Sequence, residues 1–128
     1  MPRSTHHQAK PAPDPAVVLS KATLRAASLL GLTHAALADI VGLSPSQISR
    51  IARLEKTFEI GSKSAELATL LVRVYRSLDA LVGNDETARK VWMQSHNIAL
   101  NQTPLDAIKT VAGLVYTVNY LDGARAQL

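Results

Sequence analysis

The chain contains no cysteine. That removes disulfides, thiolate nucleophiles and thiolate-held zinc, and it suits a reducing cytoplasm. Aromatic residues are scarce at 4%, with one Trp and one Phe. A core must therefore be built from Leu, Val, Ile and Ala, and of these Ala and Leu favour helix. No apolar run approaches the roughly 20 residues of a membrane span. Residues 1–10 lack the apolar stretch of a secretory signal. The expectation is a cytoplasmic protein without membrane contact. No Gly-rich phosphate loop and no nucleophile–base pair stand out, and His6, His7, His34 and His96 are scattered. The chain is expected not to be an enzyme and to need no metal or cofactor.

What is present is a helical pattern. Hydrophobic residues make up 47% of 128, enough for one compact domain or two small ones sharing a core. Net charge is +4, and residues 1–60 hold seven Lys and Arg against four acidic residues, whereas 61–128 hold seven against six. The basic excess is mild and lies in the first half. Residues 1–13 are polar and Pro-rich and read as a disordered tail, with His6-His7 solvated in it. Asp14-Pro15 opens a first helix with an apolar side of Val18, Leu19, Ala22, Leu29 and Leu30, ended by Gly31. A helix near 65–81 carries Leu67, Leu70, Leu71, Val74, Leu78 and Leu81 at helical spacing. Gly83 ends it, and Asn84 is expected to cap the next, which bears Ala88, Val91 and Trp92. Trp92 suits the core better than a contact surface. Residues 96–102 read as a loop, and Thr103-Pro104 opens a last helix expected to run unbroken to Asp122. No strand is expected, so the fold class is all-α.

The most specific feature lies between His34 and Ile51. Thr33 can cap a short helix from His34 to Val41. Gly42 supplies the left-handed backbone of a tight turn. Ser44-Pro45-Ser46-Gln47 then forms a capping box with Pro at the first helical position, opening a helix to about Leu54. Ala38 is small where two helices would cross, and Leu37, Val41, Leu43, Ile48 and Ile51 fill the angle between them. This is the pattern of a helix-turn-helix. Its second helix presents Ser46, Gln47, Ser49, Arg50 and Arg53, with Ser44 at its start, and Arg and Gln suit base edges in a DNA major groove. Arg25 and Lys56 are further phosphate contacts by expectation. One copy carries few cations, so dimerisation is expected.

The second half repeats none of this. It reads Ala88 to Trp92 (ARKVW), then Asn97, Leu100, Asn101, Thr103-Pro104-Leu105, Gly113 and Gly123. Together with the segment LADIVGLSPSQISRI from Leu37, this block resembles the Xre/MbcA/ParS antitoxin family, whose partners are RES-domain toxins. The resemblance covers about residues 20–125. It departs at Asn101-Gln102, where the family commonly has Gly before Thr-Pro.

The resemblance implies a Xre/Cro-like helix-turn-helix packed with a C-terminal helical toxin-binding region. Behind the polar tail (1–13), it divides the chain into a DNA-binding and dimerisation region (14–62) and a toxin-binding region (63–128). It implies a bacterial antitoxin that blocks the active site of an NAD-using toxin encoded by the adjacent gene, and that represses its operon as a homodimer on operator DNA. On the last helix, Leu105, Ile108, Ala112, Val115, Val118 and Leu121 form one stripe, read as core. Another face bears Lys109, Gly113, Tyr116, Asn119, Tyr120 and Gly123, and small residues with tyrosines suit a partner. The expected toxin contacts are Asn97, Asn101, Gln102, Tyr116, Asn119, Tyr120 and Arg125. A stand-alone transcriptional regulator, whose second half dimerises or senses a ligand, is the alternative on these residues.

Overall fold

The computed structural model describes residues 11–127. His6, His7 and most of the expected tail lie outside them. Seven helices are described, α1 (Pro15–Leu30), α2 (His34–Val41), α3 (Pro45–Ala52), α4 (Lys63–Val82), α5 (Glu86–Gln94), α6 (Pro104–Ala107) and α7 (Val111–Arg125). Among the described residues there is no strand, only an isolated bridge between Asn97 and Gln102. No described helix is long and apolar enough to cross a membrane.

Local chemistry sets the boundaries in the first half. Asp14, Thr33 and Ser44 each accept a backbone N–H at the start of α1, α2 and α3. Gly31 and Gly42 end α1 and α2 in the left-handed region, at φ 86° and 74°. Helix α3 stops at Ala52, short of Leu54, which itself has φ 59°.

Helix α4 is the spine, with both α1 and α7 packed on it. A continuous core runs from Leu37 and Ile48 through Phe58, Leu71 and Leu78 to Met93, Ile108, Leu114 and Leu121, so both halves share it. Phe58 anchors the α3–α4 connection. Its ring is buried and its N–H donates to Ser20 Oγ at 3.0 Å.

The structure corrects four expectations. The buried face of α1 is Ser20, Thr23, Ala26, Ala27 and Leu30, and Val18 is exposed. Ser20 and Thr23 are tolerated inside because their hydroxyls donate to the carbonyls of Ala16 and Leu19, each at 2.7 Å. Helix α4 begins at Lys63, capped by Ser62, two residues before the expected start. Asn84 does not cap α5. It sits at φ 63° after Gly83, and Asp85 Oδ1 accepts from Ala88 N.

The last correction matters most for function. The segment from Pro104 is two helices, broken at residues 108–110, with Thr110 capping α7 through Gly113 N. The break resets the helical phase. Ala112 and Val115 point outward, and the buried face of α7 is Leu114, Thr117, Val118 and Leu121. Gly113 makes the corner possible: a Cβ there would lie 1.9 Å from the Ala107 carbonyl oxygen.

Candidate functional site

Two surfaces carry the residues singled out from the sequence. The first is α3. Ile48 and Ile51 are completely buried and fix the helix against α2, where Ala38 is also buried. Pinning one face leaves the other outward by the helical period. Ser46, Arg50 and Arg53 are exposed there, while Gln47 and Ser49 are half-buried.

Part of this set is already engaged. Ser44 Oγ accepts from Gln47 N, and Gln47 Oε1 accepts from Ser44 N at 2.9 Å. The capping box therefore ties up one lone pair of the Gln47 carbonyl oxygen and leaves its amide NH2 for a partner. Ser44 and Ser46 share a hydroxyl contact at 3.1 Å. Arg53 Nε donates to Glu55 Oε2 at 2.7 Å. The Arg53 hydrogen bond, helped by its charge, holds the Glu55 carboxyl below the usual carboxylate range. Arg50 has no carboxylate partner among the described residues. Arg25 is exposed on α1, and Lys56 is half-buried.

The second surface spans the 97–103 loop and α7. Asn97 closes the loop three ways. Its N–H donates to Gln102 O, its Oδ1 accepts from Leu100 N, and its carbonyl accepts from Asn101 N at 2.7 Å. Asn101 sits at φ 58°. Asn is one of the few residues other than Gly that tolerates this region, so the turn forms without a glycine. The closed loop lifts Ile98 to 90% exposure.

Gln102 and Tyr116 come together on a groove of about 400 Å³ at the α6–α7 corner. Arg125 does not join them. It lines a separate cleft of about 620 Å³ with Arg73, Arg76, Ser77 and Asp122. There Asp122 accepts from Arg73 and, at 2.8 Å, from the buried Ser77 hydroxyl. Arg76 and Arg125 have no carboxylate partner among the described residues. Asn119 and Tyr120 are exposed on α7. Trp92 is half-buried and packs on the core.

Sequence reasoning missed Arg89. It is 3% exposed, with Nη2 3.6 Å from Asp79 Oδ1 and its guanidinium 5.6 Å from the centre of the Tyr75 ring. It ties α5 to α4 from the inside. Its place within ARKVW was the only available signal, since Arg reads as surface by default. Arg73 and Arg76 were also missed, because a charged pair on α4 looks like a solvated face. Among the described residues no group of three or more His, Asp or Glu is arranged for a metal.

Both surfaces lie within segments that match models of known protein families. The model of the antitoxin Xre-like helix-turn-helix domain matches residues 11–73. The model of the antitoxin Xre/MbcA/ParS C-terminal toxin-binding domain matches residues 77–126. No curated protein matches the chain. The two models adjoin, follow the order of the two surfaces and leave only three residues between them unmatched. The chain belongs to the Xre/MbcA/ParS antitoxin family.

Proposed function

We propose that this antitoxin neutralises a RES-domain toxin that consumes NAD or uses it for ADP-ribosylation, and that it represses its own operon. The observation that carries the reading is the match of residues 77–126 to a toxin-binding domain directly behind an antitoxin helix-turn-helix. In this reading residues 63–128 cover the toxin active site, and residues 14–62 dimerise and hold operator DNA. The protein acts by occlusion in the cytoplasm and is regulatory, not catalytic.

The physical character of each surface supports this division. The outward face of α3 is polar and cationic, as a groove-reading helix requires. Ser46, Ser49, Arg50, Arg53 and the free amide of Gln47 face the bases or adjoining phosphates, and Ser44 holds the helix start. Two arginines per copy give weak binding, so a dimer spanning two half-sites supplies the affinity. The toxin contacts are the loop residues Asn97, Asn101 and Gln102 and the α7 residues Tyr116, Asn119, Tyr120 and Arg125. Exposed tyrosines and arginines are the residue types that anchor protein interfaces.

The decisive experiment is co-expression with the protein encoded by the adjacent gene. That protein alone should arrest growth and deplete NAD or label a target with ADP-ribose. Together with this chain, growth should return and the two should co-purify. No association and no rescue would refute the reading. For the operator, Arg50→Ala should lower the preference for the specific sequence, whereas Arg25→Ala should weaken binding to all sequences.

A further inference from the structure

We propose that the α6–α7 groove receives an apolar side chain projected by the toxin, and that this is the anchor point of the complex. This rests on the toxin-binding reading above and specifies where and with what chemistry it occurs.

The groove is a product of the α6–α7 break. Because residue 113 has no Cβ, α7 approaches the Ala107 carbonyl directly. Ala99, Ala107 and Ala112 are small, and Leu100 forms an apolar floor, so backbone proximity leaves a concavity instead of a filled corner. At about 400 Å³ it lies in the lower part of the range of roughly 300–1,000 Å³ typical of binding pockets. Its lining carries no charge. Gln102, Thr110 and Tyr116 are its polar groups. Nothing there neutralises a phosphate, a carboxylate or an ammonium, so the occupant is uncharged and apolar.

Exposed apolar side chains next to the lining residues in sequence identify that occupant as part of a protein. Ile98 precedes Ala99 and is 90% exposed, Val111 precedes Ala112 and is 59% exposed, and Tyr116 is 56% exposed. Ile98 is held out by a loop whose backbone is closed by the Asn97–Gln102 bridge and the Asn97 side chain. Its exposure is thus imposed by structure. Apolar groups held in water around an apolar groove form the water-excluding ring of an interface anchor. The groove and its rim also fall within the residues matched by the toxin-binding domain, so they are continuous with the surface assigned to that partner.

The test uses the full chain and the purified protein of the adjacent gene, with affinity measured by calorimetry and folding by circular dichroism. Ala112→Trp plugs the groove from an exposed position. Ile98→Asp puts a charge on the rim at a residue that packs on almost nothing, so it preserves the fold. Val18→Asp removes another exposed apolar residue, on α1 and away from the groove. The first two should weaken toxin binding by roughly 30-fold, the size of an interface hot spot, and Val18→Asp should not. If Ala112→Trp and Ile98→Asp are folded and bind as wild type does, the groove is not the anchor, although the toxin reading stands. If Ala112→Trp instead changes only the sedimentation of the chain alone, a second copy occupies the groove and the proposal falls. If wild type itself does not bind the adjacent protein, the toxin reading fails and takes this occupant with it.

Discussion

The two halves of the molecule share a core but offer water different surfaces. Within α3 the large apolar side chains are spent inside, with Ile48 and Ile51 fully buried, and the outward face is Ser, Gln and Arg; Leu54 and Ile60 are exposed only beyond its end. The second half keeps Ile98, Val111, Val115, Tyr116 and Tyr120 outside. It also buries a charge, Arg89, which the helix-turn-helix does not. A polar cationic face suits a polyanion, whose contacts are mostly with phosphates. An apolar face with tyrosines suits a protein that will desolvate it. One core thus carries two surfaces of different character, each set by which apolar residues the fold leaves unburied.

The comparison breaks most sharply at Gly113. Gly113→Val drives side-chain atoms into the Ala107 carbonyl, which is backbone and cannot rotate away. The expected loss is more than about 3 kcal/mol, at the upper end for overpacking, read by urea denaturation. The damage should concentrate at the α6–α7 corner. The Tyr116 amide in α7 should lose hydrogen-exchange protection and toxin affinity should fall, while α3 keeps its protection. Uniform loss of protection would mean that the halves have no local independence.

Arg89→Ala tests the buried charge. Removing one member of a buried ion pair costs roughly 3–5 kcal/mol when the other is left unsolvated. The Asp79 side chain is 28% exposed and keeps some water, so about 3 kcal/mol is expected. Arg89→Lys should recover only part of it, because Lys lacks the planar group that stacks over Tyr75. Full recovery with Lys would show that charge alone matters at this position.

These sites also mark what was legible in advance. The helix-turn-helix could be read in register because its determinants are local: Thr33, Gly42 and the Ser44–Gln47 box each act within four residues. The second half depends on approach between distant backbones. Thr110 is as good a cap as Thr33, but the apolar spacing of 105, 108, 112, 115, 118 and 121 continues through it and masks the break. Once α7 restarts at Val111, the same residues fall on different faces. Ser20 and Thr23 hid the true inner face of α1 in the same way, since a hydroxyl satisfied by its own helix is free to be buried. The arginine cleft was illegible because Arg73 and Arg125 meet only through the α4–α7 packing.

A smaller effect is expected at Ser44. Ser44→Ala removes the acceptor for Gln47 N and frees the Gln47 side chain. Loss of such a cap costs about 1 kcal/mol. Since Ile48 and Ile51 still hold α3 in the core, the helix should fray at its start and remain docked. Operator affinity should fall with it, and toxin affinity should not change. Equal loss of both would mean that the two surfaces are coupled through the shared core.

The smallest effect concerns Arg53, whose pairing with Glu55 decides whether it faces phosphate. Both side chains are more than half exposed, so the pair contributes little to stability. Its consequence is for binding. The Glu55 carboxyl lies below its ordinary range because Arg53 stabilises the charged form. The pair is therefore complete at neutral pH and down through the ordinary glutamate range, and is lost only as pH falls through the lowered value. At neutral pH a phosphate must compete with Glu55 for Arg53. Glu55→Gln removes the competing charge. DNA affinity should rise two- to threefold for every sequence, and the salt dependence should steepen by up to about one unit of slope. An unchanged slope would show that Arg53 does not reach the backbone and that Arg50 alone supplies cationic contact from α3. Toxin affinity should be indifferent to this substitution, because the charge it removes belongs wholly to the polar surface of the first half.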